Sequence, residues 1–202
     1  QSSGTFVFDG DRLTDGAGTG AFEVDVQSIA GRADNGRVDV LDLDSIPVLD
    51  NGLTVGDGTT GKGGQAISGL SATQDVCLDV TNSILTVNSD ITAGTDVALR
   101  TQDADMDNDG DILFNNDSVV TATNGKISLD VDDTIVDNNN QADAVATLTT
   151  TGNVVINSGS GIGDLAPLQI DAAGLAATSA TGGVNVADIS GDLQTVSDTT
   201  LK

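Results

Sequence analysis

The chain has 202 residues and a formal net charge of −24 at pH 7, with 31 acidic and 7 basic residues and no histidine, tryptophan or tyrosine. Seven scattered cations make no electropositive patch, which argues against nucleic acid as a partner and against docking on an anionic membrane surface. Without histidine a Ser-His or Cys-His nucleophile is excluded, and no apolar run approaches the length of a membrane span.

Glu23 is the only glutamate, and strong helix formers are scarce. Asp, Asn, Gly, Thr and Ser alternate with short runs of Val, Ile and Leu, the vocabulary of strands and tight turns. An apolar share of 38%, clustered with period two, separates this pattern from a disordered acidic chain. The expectation is an all-β chain. Its opening at Gln1, without a charged and then apolar leader, fits a processed protein or an excised piece.

In chain order, "GTFVFDGDRL" and "TGAFEVDVQSIAG" carry three of the four phenylalanines and have no later copy. Residues 1–50 are therefore expected to form an irregular β cap or assembly segment, and residues 51–202 a repeat region. "GRVDVLDLD" (36–44), "GLTVGDG" (52–58) and "DVCLDV" (75–80) have strand texture. The aspartates of 39–50 should face solvent, and Cys77 should sit in the core as a small hydrophobe. "GDGTTGKGG" (56–64) resembles a phosphate cradle, but Gly63 follows Lys62 where a P-loop needs Ser or Thr, so it reads as a loop.

Further on, "TAGTDVALR" (92–100), "TATNGKISLD" (121–130), "TTTGNVVIN" (149–157) and "TSATGGVNVAD" (178–188) share a threonine-rich entry, a glycine turn and an alternating strand. Their leading apolar residues Val97, Ile127, Val154 and Val184 are spaced 30, 27 and 30 apart, with "DILFNN", "DTIVD" and "PLQID" between them. Such spacing marks stacked units that cannot bury their apolar faces alone. A parallel β-helix with 15- or 30-residue rungs is favoured. The alternative is a β-sandwich, which normally anchors its core on the aromatics this chain lacks.

The acidic stretch "DADMDNDGD" places Asp103, Asp105, Asp107, Asp109 and Asp111 at every second position. Counted from Asp105, oxygen ligands and Gly110 fall where a calcium loop wants them, but the twelfth position is the neutral Asn116. These five aspartates are the candidate metal ligands, for structural calcium between two rungs, against the plainer reading of a solvated acidic turn. "DVDDTIVDNNNQAD" (130–143) is a weaker cluster with Asp130, Asp132, Asp133 and Asp137. All are hard-cation donors. Stacked outward aspartates should repel one another unless cations or offset registers intervene.

"GDILFNNDSVVTATNGKISLDVDDTIV" and "NSGSGIGDLAPLQIDAAGLAATSATGGVNVAD" resemble repeats of the filamentous-haemagglutinin-like adhesins, very large bacterial surface proteins. The resemblance rests on the G-x-I-x-L strand, the "TATNG" turn and "GIG" leading to "PLQI", and covers residues 76 to 200. It implies a right-handed parallel β-helix, exported to the cell surface, with roles in adhesion, matrix building or envelope architecture. The expected function is a non-catalytic extracellular structural or adhesive segment steadied by calcium. Its expected partners are copies of itself or surface and matrix components, including polysaccharide, without insertion into a membrane. The competing expectation is a carbohydrate-binding or carbohydrate-cleaving β-helix, since paired aspartates can hydrolyse glycosides.

Overall fold

Each short strand has one apolar edge of side chains, and no strand of three to six residues can bury it alone. Parallel stacking solves this. The computed structural model describes residues 2–10, 21–43, 53–58, 66–103, 109–139, 145–191 and 193–195. Among these there is no helix, and 19 strands join one sheet in which neighbouring strands run parallel. The chain is a parallel β-helix, as the periodicity favoured, and not a sandwich. Asp57–Gly58 and Ile67–Ser68 pair antiparallel as a side excursion whose tip, residues 59–65, lies outside the described residues.

The coil has three faces. On the first, Leu53–Val55, Leu85–Val87, Ile112–Phe114, Thr134–Asp137 and Gly161–Ile162 stack in turn. The second includes Leu70–Ala72, Ile91–Ala93 and Val120–Ala122, then continues through Leu148–Ser158 and Leu168–Ser179. The third carries Val38–Leu43, Val76–Thr81, Val97–Gln102 and Ile127–Val131, followed by the later halves of those same two long strands.

Inward positions repeat from rung to rung, so like side chains form columns. Val38, Val76, Val97, Ile127 and Val154 make one, and Val40, Leu78, Leu99, Leu129 and Ile156 another, all almost wholly buried. The second face ends in the small column Ala72, Ala93, Ala122, Thr150 and Ala172. Those small side chains let the chain turn tightly towards the third face.

The rung fits neither the 15- nor the 30-residue expectation. On the third face Val76, Val97, Ile127, Val154 and Leu175 are successive partners, 21, 30, 27 and 21 residues apart. The base rung is thus near 21 residues, and the longer rungs have more residues between Val97–Gln102 and Ile112–Phe114 and between Thr134–Asp137 and Leu148–Ser158. Val184 does not continue the Val97 column: it bridges Ile162 on the first face, while Leu175 takes the place beside Val154.

The sheet also runs across residue 50. Phe22–Val24 stacks on Val38–Leu43, and Val26–Ala33 bends across the first and second faces to meet both Leu53–Val55 and Leu70–Ala72. Two local expectations fail here. Cys77 alternates with the buried Val76 and Leu78 and so points outward, half-buried between Asp39 and Ala98. Asp42 instead turns inward, 0% exposed in the column of Val24 and Val80. A strict alternation from Val38 makes Asp42 the third inward position, after Val38 and Val40.

The outer face of the third stack answers the repulsion problem. Asp79, Arg100 and Asp130 are direct neighbours on successive rungs, so a cation separates the two acids. Arg100 lies 3.7 Å from Asp79 and 3.5 Å from Asp130, and its side chain is 49% exposed. Long contacts at an exposed site are weak. Arg100→Ala is expected to lower stability by about 0.5–1 kcal/mol, a difference that shrinks in high salt. Denaturant titrations at two salt concentrations measure it.

Candidate functional site

Neighbouring rungs lie about 4.8 Å apart, a span that an aspartate side chain bridges and a longer glutamate overshoots. The corners use this repeatedly. The Asp75 carboxylate accepts from the Asp96 main-chain N–H and from Thr95, and Asp96 in turn accepts from the Lys126 N–H at 2.8 Å. Asp90 accepts from the Val119 N–H at 2.9 Å, and Asp111 from both the N–H and the hydroxyl of Thr134. Turn carboxylates therefore satisfy turn amides of an adjacent rung, where the sheet ladder has stopped. The short aspartate side chain suits these bridges.

Asparagine does the same between side chains. Asn138 donates to Asn115 at 3.0 Å, and Asn115 donates to Asn88 at 3.1 Å, a three-rung amide ladder at the exit of the first face.

The acidic candidate site lies at the corner from the third face to the first. Of the five aspartates named from sequence, Asp103, Asp109 and Asp111 are described, and Asp105 and Asp107 lie outside the described residues. The base of the 103–111 loop is closed by the Thr101 hydroxyl donating to the Gly110 carbonyl at 2.6 Å. The next rung completes the closure: Gly110 N–H donates to the Asp133 carboxylate, and Asp133 N–H returns a bond to the Gly110 carbonyl, each at 3.2 Å. The Asp103 N–H donates to the Asp132 carboxylate at 2.9 Å.

Asp103 and Asp132 flank Gly110 so closely that a Cβ there would stand 3.0 Å and 3.2 Å from theirs. The structure thus merges two sequence clusters that are one rung apart, Asp103–Asp111 and Asp132–Asp133. It also disperses the second cluster, because Asp130 faces outward beside Arg100 and Asp137 is buried on the first face. The only sequence signal for the merger is the 29-residue step from Asp103 to Asp132, close to the rung spacing at this point.

Among the described residues, no group of three or more acidic or thiol side chains is arranged to hold a metal ion. The twelfth-position Asn116 is exposed and, with Asp117, takes left-handed backbone at φ 57 to turn the chain after Ile112–Phe114. What the corner does show is compressed negative charge. Burial pushes the Asp133 carboxyl above the usual range, and repulsion from Asp103 and Asp111 adds to it, against the hydrogen bonds from Gly110 and Ser160.

A folded-state pKa above the unfolded value means the native state binds the proton more tightly. Stability from this group is then present at acid pH and lost as pH rises through the raised pKa. Asp133→Asn keeps an acceptor for Gly110 and removes the charge. The variant is expected to be at least as stable as the parent at neutral pH and to lose part of the parent's gain on mild acidification, read by melting curves between pH 4 and pH 7.

A second feature was not legible as a site. A groove of about 440 Å³ runs along the outside of three rungs of the second face, lined by Thr121, Thr123, Thr149, Thr151, Asp171 and Ala173. Thr121, Thr149 and Asp171 are in-register partners, continuing a row that runs through Ser71 and Thr92. It presents hydroxyls and a single carboxylate. Compared with protein-family models, with curated proteins and with solved structures, the chain finds no match.

Proposed function

We propose that the chain is a non-catalytic structural segment of an extracellular bacterial adhesin or surface filament. A stiff solenoid carries loops outward and engages copies of itself or matrix components. The observation that carries this reading is the continuous parallel stack, in which the carboxylates of Asp111, Asp132 and Asp133 accept hydrogen bonds from a neighbouring rung. A structure that spends its carboxylates as rung-to-rung acceptors is built to be long and rigid. Calcium, in this reading, neutralises the crowded corner at Asp103, Asp109, Asp111, Asp132 and Asp133 and so fastens the 103–111 loop.

Beads coated with the purified chain should adhere to bacterial surface or matrix preparations in calcium and detach in chelator. The melting temperature should fall in parallel. Equal adhesion, melting and particle size with and without chelator would sink the calcium part.

The groove favours one further reading, contact with polysaccharide. Its row of hydroxyls suits sugar hydroxyl groups, while one lining carboxylate, Asp171, is short of the pair that glycoside hydrolysis uses. Release of reducing ends from an acidic polysaccharide, abolished in Asp171→Asn, would reverse the non-catalytic assignment.

A further inference from the structure

We propose that Asp137 and Asn139 hold a hard, oxygen-seeking cation of the calcium class inside the corner between the first and second faces. This site is separate from the acidic corner and does not depend on the adhesive reading. It begins from an anomaly in a column. Ile29, Val55, Val87, Phe114 and Asp137 are successive partners on the first face, so a carboxylate takes the place where an apolar side chain is due. Asp137 is 1% exposed and Asn139 6%.

Three neutral donors reach the carboxylate. Asn139 N–H donates to one oxygen at 3.1 Å, and the Thr147 hydroxyl and Gln169 N–H donate to the other at 2.7 Å and 3.4 Å. None of them neutralises its charge, and among the described residues the ion pairs of Arg32, Arg37 and Arg100 lie with other aspartates. A buried carboxylate without a counter-charge is strongly disfavoured.

The second observation is independent of the first. Asn139 Nδ2 donates to the Ser118 carbonyl at 3.1 Å and to Thr147 Oγ1 at 3.2 Å, which fixes the amide orientation. Among the described residues its buried Oδ1 finds no hydrogen-bond donor. A lone amide oxygen and an uncompensated carboxylate two residues apart ask for one thing, a positive charge that takes oxygen ligands. A water molecule would satisfy Oδ1 and leave the charge untouched.

Calcium titration calorimetry on chelator-stripped protein tests this. The parent should take up a calcium ion that Asp137→Asn does not, while Asp109→Asn with Asp111→Asn retains it. Asn139→Ala removes the amide oxygen and should weaken that uptake about tenfold. Identical titrations for the parent and Asp137→Asn, or no uptake in millimolar calcium, overturn the proposal and leave the pocket to water. Should Asp137→Asn fail to fold by circular dichroism, Asn139→Ala decides alone, and an unchanged affinity overturns it. Loss of bead adhesion in chelator, with the Asp137-dependent uptake absent, would leave the acidic corner standing and remove only this site.

Discussion

Phe114→Ala is expected to destabilise the chain by about 3–5 kcal/mol, the range for truncating a buried aromatic. Phe114 is 0% exposed and is the largest wholly buried side chain among the described residues. It stands between Val87 and Asp137 in its column, with main-chain bonds from Asn115 and Asn138 closing the rungs beside it. Removing the ring opens a void against a buried carboxylate, so the neighbours cannot simply collapse inward as they would around an aliphatic gap.

The distribution of the loss is the more informative readout. In a stack each rung touches only its neighbours, so damage stays local until a rung's coupling fails. Amide hydrogen exchange should show lost protection in Leu85–Val87, Ile112–Phe114 and Thr134–Asp137, with Val38–Leu43 little changed. Uniform loss across all rungs would mean that the chain unfolds as one cooperative unit.

The inward columns were readable in advance because a strand has only two sides. "ISLDV" at Ile127–Val131 and "VCLDV" at Val76–Val80 declare their apolar side by alternation alone, and the structure stacks them as expected. Reading failed where the residue type and the alternation disagreed. Cys77 is hydrophobic by type but outward by position, whereas Asp42 and Asp137 are acids on inward positions. Position wins because turning one side chain would flip every other residue of its strand.

Rung length was misjudged for a different reason. The number of residues between one strand and the next varies from rung to rung, so apparent repeats near thirty hide a base rung near 21. The candidate site shared this limit. Asp103 and Asp111 were visible as an acidic run, but their partners Asp132 and Asp133 come from the next rung. Hydrogen bonds between corners depend on three-dimensional register, which local spacing does not encode. The single polarity of the turns, aspartate almost to the exclusion of glutamate, was the usable clue, and its meaning is reach.

Reach also governs the backbone, and glycine substitution should expose it. Gly159→Ala is expected to cost about 3 kcal/mol, at the upper end for overpacking, because the added methyl would sit against backbone that cannot rotate away. An ideal Cβ at Gly159 falls 1.8 Å from the Asp132 carbonyl oxygen. Relief requires moving one corner off the next, and that strains the Gly159 N–H bond to the Val131 carbonyl and the Ser160 N–H bond to the Asp133 carbonyl, both 3.0 Å. The displacement would reach Gly110 through Asp133, so the 103–111 loop should loosen as well. Gly183 is the control. A Cβ there meets nothing within 4 Å, and its backbone is not in the left-handed region. Gly183→Ala restricts the unfolded chain without a clash and should stabilise by about 0.4–1 kcal/mol. Opposite signs for two glycine-to-alanine changes, measured side by side in denaturant, would assign the Gly159 effect to contact between rungs. Equal small effects would mean that the corners are far more loosely stacked than their hydrogen bonds indicate.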